Sequence, residues 1–412
     1  MDSSSPLIQI LQGATEYFPA LIDDIDHAQH AIYMESYLIH DDPPTDEVLA
    51  ALSRAARRGV RVHLVLDGFG AADATGWLPE RLASSGVRIE WYRPGVRWLA
   101  PKTWRRIHRK LVLIDERIGF VGGINLIGDQ FDIVHGELKA PRLDFAVRVT
   151  SARVVHVISR VMRRLWWRTS LRNALRGSFR RLLEADRRAE ALVRVRRIWR
   201  NTRRHLRWRG PPSRKHMSRR SRLLLRDNLR HRRNIERWYL WKIRFAKRDI
   251  LIANAYFVPT YRFRQALIDA AARGVNVRLL LQGNSDQWWT HWATQALIGE
   301  LAAAGIQIFT YQESFLHAKV AVIDDAMTVG SSNIDPFSMM LSLEANLVSD
   351  DATAAAELRE KLNQVILLSA RPEPTFVRRG PLHALARAAA ITVSLMALRI
   401  FVAFSGTGFR IR

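Results

Sequence analysis

Two stretches decide the reading: HRKLVLID (108–115) and HAKVAVID (317–324). Both fit H-x-K-x4-D, with His108, Lys110 and Asp115 in the first and His317, Lys319 and Asp324 in the second. Each is followed by a small-residue turn ending in Asn, GGIN (122–125) and GSSN (330–333). With 13 His, 8 Lys and 23 Asp in 412 residues, chance supplies on the order of 0.01 such matches. Two matches in corresponding contexts are therefore a signal. The second copy is one residue shorter between Asp324 and Gly330 than the first between Asp115 and Gly122. That shifts the turn without changing its residue types.

Residues i and i+2 of a strand point to one face, so H-x-K presents imidazole and ammonium together. The apolar runs Leu111-Val112-Leu113-Ile114 and Val320-Ala321-Val322-Ile323 read as buried strands holding those pairs. Outward from the motifs the duplication continues. AARRGVRVHLVLDG (55–68) matches AAARGVNVRLLLQG (270–283), each a helix end, a Gly and a strand. Strand patterns precede them at 31–39 and 249–258 and follow them at 86–93 and 305–312. The expected fold is α/β: two homologous sandwich lobes packed around one shared site. The expected divisions are 1–164 for the first lobe, 165–247 for a basic helical insertion, 248–370 for the second lobe and 371–412 for a hydrophobic tail. Facing lobes would gather two His, two Lys and two Asn. The ammonium and amide groups suit a phosphodiester, and two imidazoles can supply a nucleophile and a proton donor.

Composition narrows the partners. At 412 residues and 47.3 kDa the chain has room for two or three domains. Hydrophobic residues at 48% and charged residues at 25% exclude a disordered chain and a polytopic membrane protein. The absence of Cys excludes disulfides, thiolate nucleophiles and Cys-ligated metal. A net charge of +25 calls for an anionic partner. That charge is concentrated, because residues 151–250 hold 33 Lys and Arg against 6 Asp and Glu. Trp166, Trp167, Trp199, Trp208, Trp238 and Trp241 interleave with these arginines, as suits a membrane–water interface or RNA. The plainer alternative is that the tryptophans pack on the lobes. No signal peptide is read at the N-terminus. From 388 to 404 the only charged residue is Arg399, which suggests an interfacial helix or shallow hairpin, or else a buried core helix. The stretch beginning Gly68-Phe69-Gly70 lacks the final Gly or Ala of a dinucleotide fingerprint. His27, His30 and His63 lack metal-ligand spacing.

The duplicated motif resembles the phospholipase D superfamily, and within it the bacterial cardiolipin synthases of the B type. The resemblance also rests on TEYFPALIDDIDHAQHAIYMESY (15–37), RDNLRHRRNIERWYL (226–240), NAYFVP (254–259) and FLHAKVAVIDDAMTVGSSNIDPFS (315–338). It implies phosphatidyl transfer from one phosphatidylglycerol to another through a phosphatidyl-histidine, with His108 as nucleophile and His317 as acid and base. His108, Lys110, Asp115, His317, Lys319 and Asp324 form the implied catalytic set. Asn125, Asn333 and Ser332 join the lysines at the phosphate. Asp144 and Glu344 match the carboxylates that orient the imidazoles in relatives, which leaves Asp115 and Asp324 to hold local strand–turn structure. No metal or cofactor is implied. The expected partners are anionic phospholipids (phosphatidylglycerol, cardiolipin) and the membrane surface, with no nucleic acid and no obligate protein partner. The implied location is the cytoplasmic side of a bacterial inner membrane, peripheral or anchored by the C-terminal stretch. Phospholipase D hydrolysis is the competing reading, and a nuclease of the same superfamily a weaker one.

Overall fold

A computed structural model describes residues 7–94, 105–133, 135–182, 220–227, 231–283, 298–335 and 342–372. The first lobe runs β1 (Ile8–Gln12), α1 (Gly13–Asp26), β2 (Ala31–Ser36), α2 (Pro43–Arg57), β3 (Arg61–Asp67), α3 (Leu78–Leu82) and β4 (Arg88–Tyr92). It continues through β5 (Arg106–Ile107), β6 (Lys110–Ile114), β7 (Ile118–Gly122), β8 (Phe131–Asp132), β9 (Gly136–Glu137), β10 (Phe145–Val149) and α4 (Ala152–Leu182). The second comprises β11 (Ser221–Arg226), α5 (Asn234–Phe245), β12 (Asp249–Asn254), α6 (Tyr261–Ala272), β13 (Asn276–Gln282) and β14 (Gln307–Tyr311). It ends with β15 (Lys319–Ile323), β16 (Ala326–Gly330), β17 (Ser342–Ser349), α7 (Ala352–Ser369) and β18 (Ala370–Pro372).

The sheets have one topology written twice. Strand order is β1-β10-β7-β6-β2-β3-β4 in the first and β11-β17-β16-β15-β12-β13-β14 in the second, where β18 adds at the edge. The repeat's glycines explain part of this. Gly59 and Gly274 end α2 and α6 with φ of 91° and 85°, a left-handed conformation that costs glycine nothing. The helix starts are also fixed locally, since Asp42 and Thr260 accept hydrogen bonds from Thr45 and Phe263 N–H.

The apolar runs after each motif are buried on both faces. Leu111 and Leu113 of β6 enter a core shared by the lobes, while Val112 and Ile114 enter the first lobe's outer core. Val320 and Val322 of β15 join the same shared core, and Ala321 and Ile323 the second outer core. The shared core also takes Val155, Ile158 and Met162 of α4 and Leu358, Leu362 and Val365 of α7. One apolar interior therefore fixes the lobes against each other.

The insertion is narrower than the sequence suggests. Helix α4 runs through position 165, with Leu165 and Trp166 packed on Val65, Tyr92 and Ile107. Strand β11 pairs with β17, and Ile235, Trp238, Tyr239 and Ile243 of α5 cover the second outer core. These elements belong to the lobes because they carry apolar faces. Trp166 and Trp238 are thus lobe packing. Trp199, Trp208 and the stretch 388–404 lie outside the described residues.

The one-residue difference between the motifs is absorbed in a hairpin turn. Asp115, Glu116 and Arg117 join β6 to β7, whereas Asp324 and Asp325 alone join β15 to β16. Gly122 still lies opposite Lys110, and Val329 opposite Val320. Asp115 accepts from the N–H groups of Gln29, His30 and Ala31 at 2.7, 2.7 and 2.8 Å. Asp324 accepts from those of Lys247, Arg248 and Asp249 at 2.9, 2.9 and 3.2 Å. Each tethers the entry of the neighbouring strand, and each has a positive φ, 51° and 50°. At about 3.3 Å per residue each lies roughly 20 Å along the strand from its own motif histidine. The structure thus places both carboxylates at strand entries, away from the motif histidines.

Burial works against ionising Asp324, but its three N–H donors hold it below the usual carboxylate range. Asp324→Ala is expected to cost about 1–3 kcal/mol at neutral pH by orphaning those donors. A depressed folded pKa means the stabilisation is complete above the unfolded pKa of about 3.9 and fades as pH falls below it. Urea denaturation of both proteins at pH 7 and at pH 3 tests this, with the difference expected to narrow in acid.

Candidate active site

The chain just before each motif histidine crosses to the other lobe. Strand β5 pairs in parallel with β17, matching Ile107 to Leu343, and His108 N–H donates to Leu343 O at 3.0 Å. The second lobe repeats this with Leu143 and Leu316 bridged and His317 N–H donating to Leu143 O at 2.8 Å. Each imidazole thereby meets a carboxylate of the opposite lobe. His108 Nδ1 lies 3.2 Å from Glu344 Oε2, and His317 Nδ1 lies 2.6 Å from Asp144 Oδ2. The structure brings Asp144 and Glu344 beside the imidazoles, by a crossing of which the sequence carries no sign. Neither lobe alone contains a complete pair.

Around this shared plan the half-sites differ. Asp144 occupies space that only glycine leaves, since a Cβ on Gly123 would lie 2.3 Å from Asp144 Oδ1. At the equivalent of Gly123 stands Ser331, whose hydroxyl donates to Glu344. Arg226, buried at the end of β11, approaches Glu344 Oε1 at 3.7 Å. Ser332, expected at the phosphate, instead donates to Asn333 O at 3.3 Å and is buried. Ser331 is the serine the geometry brings to the site, one position earlier. Asn125 and Asn333 are buried at the ends of the two small-residue turns.

Further contributors were hidden in the repeat. Asp67 accepts from Ile107 N–H at 2.8 Å, and Gln282 accepts from Leu316 N–H. These are the last polar residues of LVLDG and LLLQG, and each clamps the residue before a motif histidine. Tyr37 has no sequence signal as a site residue. Its ring centroid lies 5.2 Å from that of His108, with Lys110 Nζ 5.6 Å from its centre.

The family described as "Cardiolipin synthase, PLD-like domain" matches residues 21–166 and 239–366, one segment in each lobe. The chain belongs to that family. It is 36% identical over 371 residues to cardiolipin synthase B of Salmonella typhi, covering 87% of this chain and 80% of that one. It is 27% identical over 366 residues to the major cardiolipin synthase ClsA of Bacillus subtilis, covering 88% and 69%. Among solved structures, phosphatidylserine synthase of Haemophilus influenzae Rd KW20 shares the fold at a TM-score of 0.63 and 13% identity, over 96% of this chain and 94% of that one.

In this member of the family, burial dominates the electrostatics. Lys110 and Lys319 are buried, and each ammonium donates to the carbonyl of its own motif histidine. Desolvation lowers Lys110 to about 8 despite the opposing pull of Glu344 and Asp144. Lys319 falls to about 7 through burial and the charge of Lys110, against the opposing pull of Asp144. Both imidazoles are likewise lowered, first by burial and then by the nearer lysine. Burial pushes Asp144 up to about 6. Glu344 is also buried, yet His108, Arg226 and Lys110 hold it below the usual carboxylate range. One imidazole therefore faces a carboxylate held toward its ionised form and the other a carboxylate pushed toward its neutral form.

The site should bind a tetrahedral anion in proportion to its ammonium charge. The lysines lose that charge as pH rises through about 7–8, far below the ordinary 10.5. Sulfate keeps a constant charge over this range. Its affinity, measured by calorimetry, is expected to fall between pH 6 and pH 9, with proton uptake on binding near pH 8.

Proposed function

We propose that this chain is a cardiolipin synthase that transfers a phosphatidyl group between two phosphatidylglycerol molecules through a phosphatidyl-histidine. The crossed pairs support this most. Each imidazole is tied through Nδ1 to a carboxylate, which leaves its Nε2 for chemistry beside two buried ammonium groups. The similarity to proteins named cardiolipin synthases supports the choice of lipid.

In the first step His108 Nε2 attacks the phosphorus. A P–N bond forms, the P–O bond to glycerol breaks, and His317 gives its proton to the departing oxygen. In the second step His317 takes the proton from a glycerol hydroxyl of another phosphatidylglycerol. That oxygen bonds to phosphorus, the P–N bond breaks, and cardiolipin leaves. One phosphodiester is exchanged for another, so no nucleotide is consumed. The asymmetry of the carboxylates favours these roles. Ionised Glu344, held by Ser331 and Arg226, stabilises the positive charge that His108 acquires on phosphorylation. Burial and the charge of Lys319 lower the basicity of His317, which makes its protonated form a good acid. The incoming phosphodiester adds the negative charge that favours protonating it. Lys110, Lys319, Asn125 and Asn333 hold the phosphate oxygens. Ser332 is not assigned there.

Both substrates are membrane lipids. The proposed location is the cytoplasmic surface of the bacterial inner membrane, with the apolar stretch 388–404 as a further attachment. No helix among the described residues is long and apolar enough to cross a membrane.

The test is lipid mass spectrometry after incubating purified protein with phosphatidylglycerol vesicles, without nucleotide. Cardiolipin and free glycerol are expected, with the rate falling about 10²–10⁴-fold in His317→Ala. Phosphatidic acid as the sole product would overturn synthesis in favour of hydrolysis. No turnover would overturn both.

A further inference from the structure

Nine large hydrophobic side chains are exposed among the described residues, and their distribution is uneven. Six lie at the end of the sheets that carries the site: Phe69, Ile133, Leu175, Tyr261, Leu367 and Leu368. Phe69 follows the Asp67 clamp, with Arg106 over its ring at 5.1 Å. Ile133 sits in the β8–β9 hairpin, where the His135 ring lies 4.8 Å from that of Phe315, two residues before His317. Tyr261 begins α6 just after Val258, whose N–H bonds Ile334 O beside Asn333. Leu367 and Leu368, each 82% exposed, end α7 where Ser369 O accepts from Gln312 N–H. Leu175 lies beyond Asn173, whose amide holds Glu90 and Trp91 O at the end of β4.

Scattered single hydrophobics need no explanation, but six gathered at one end of the sheets do. Exposed cations stand among these side chains: Arg172 and Arg176 flank Leu175, Arg371 follows Leu368, and Lys139 follows the β8–β9 hairpin. Apolar tips that enter the acyl region, with cations at headgroup level, suit an anionic bilayer. Trp241 and Phe245 form a competing exposed pair on α5. They lie toward the opposite end, where Lys247 and Arg248 meet Asp324.

We infer that the rim formed by Phe69, Ile133, Leu175, Tyr261, Leu367 and Leu368 docks on an anionic lipid bilayer and sets the cleft mouth against the headgroups. This rests on the lipid-transfer reading above and adds the face through which lipid arrives. Docked this way, the two lysines and two histidines are reached without extracting a lipid through water.

The test compares the wild-type chain, the triple variant I133S/L367S/L368S and the pair W241S/F245S. Sedimentation with vesicles of phosphatidylglycerol and phosphatidylcholine reads binding. Turnover is read on those vesicles and, separately, on short-chain phosphatidylglycerol kept below its critical micelle concentration. The triple variant is expected to lose about tenfold in vesicle binding and vesicle turnover, with turnover of monomeric lipid unchanged. W241S/F245S is expected to match wild type. Loss of vesicle binding in W241S/F245S with the triple variant unaffected would overturn the proposal and place docking at the other end. A triple variant that changes only the sedimentation coefficient in lipid-free buffer would also overturn it and identify a contact between copies. Unaltered vesicle binding in both variants would overturn it in favour of attachment through 388–404. If wild type turns over neither lipid form, the lipid-transfer reading fails, while vesicle binding still decides the surface.

Discussion

The structure depends on two histidine–carboxylate hydrogen bonds that cross between lobes, His108 with Glu344 and His317 with Asp144. Each histidine is delivered by a strand of its own sheet, and each carboxylate sits beside or within a strand of the other. The backbone is arranged to make this possible. The residue before each histidine is held by a side chain from its own lobe and pairs with the opposite lobe. The shared core beneath, filled by α4 and α7, keeps the two sheets from shifting. A small displacement of one lobe would separate both pairs at once. Duplication thus makes the two halves interdependent.

That junction is also where the charges are buried. Lys110, Lys319, Arg226, Asp144 and Glu344 are all within the protein, a combination that is costly unless mutually compensated. The compensation is incomplete by design of the chemistry. The lysines and histidines are shifted toward their neutral forms, and the deficit is one of negative charge. An anionic phosphodiester supplies that charge. The mutual repulsion of these buried cations is relieved when such an anion sits among them.

The two halves have diverged where the fold tolerates it. Arg109 pairs with Glu35 inside the first lobe, while the second has Ala318 there and Ala253 at the position equivalent to Glu35. A polar pair and an apolar contact serve the same packing. At the carboxylates the divergence affects chemistry instead. Glycine with the shorter Asp144 and serine with the longer Glu344 give two imidazoles with different partners. In the proposed double displacement that difference distinguishes the histidine that accepts phosphorus from the one that moves protons.

The sequence alone determined the duplication, the α/β lobes, and the motif histidines and lysines. Those are legible because period-2 apolar runs, helix-ending glycines and a repeated polar frame are local signals. The motif aspartates are expected from the sequence to hold strand–turn structure, but their partners are not legible there. Only the fold turns Asp115 and Asp324 toward the N–H groups of neighbouring strand entries. Ser331 rather than Ser332 meets Glu344, in the bend that follows the end of β16 at Gly330. Arg226, Asp67, Gln282 and Tyr37 likewise depend on contacts between distant segments. Tertiary structure also decided that β11 and α5 complete the second lobe and that each imidazole finds its carboxylate across the lobe boundary. Spacing along a chain fixes which residues share a strand; the packing of two sheets on one core fixes which residues meet.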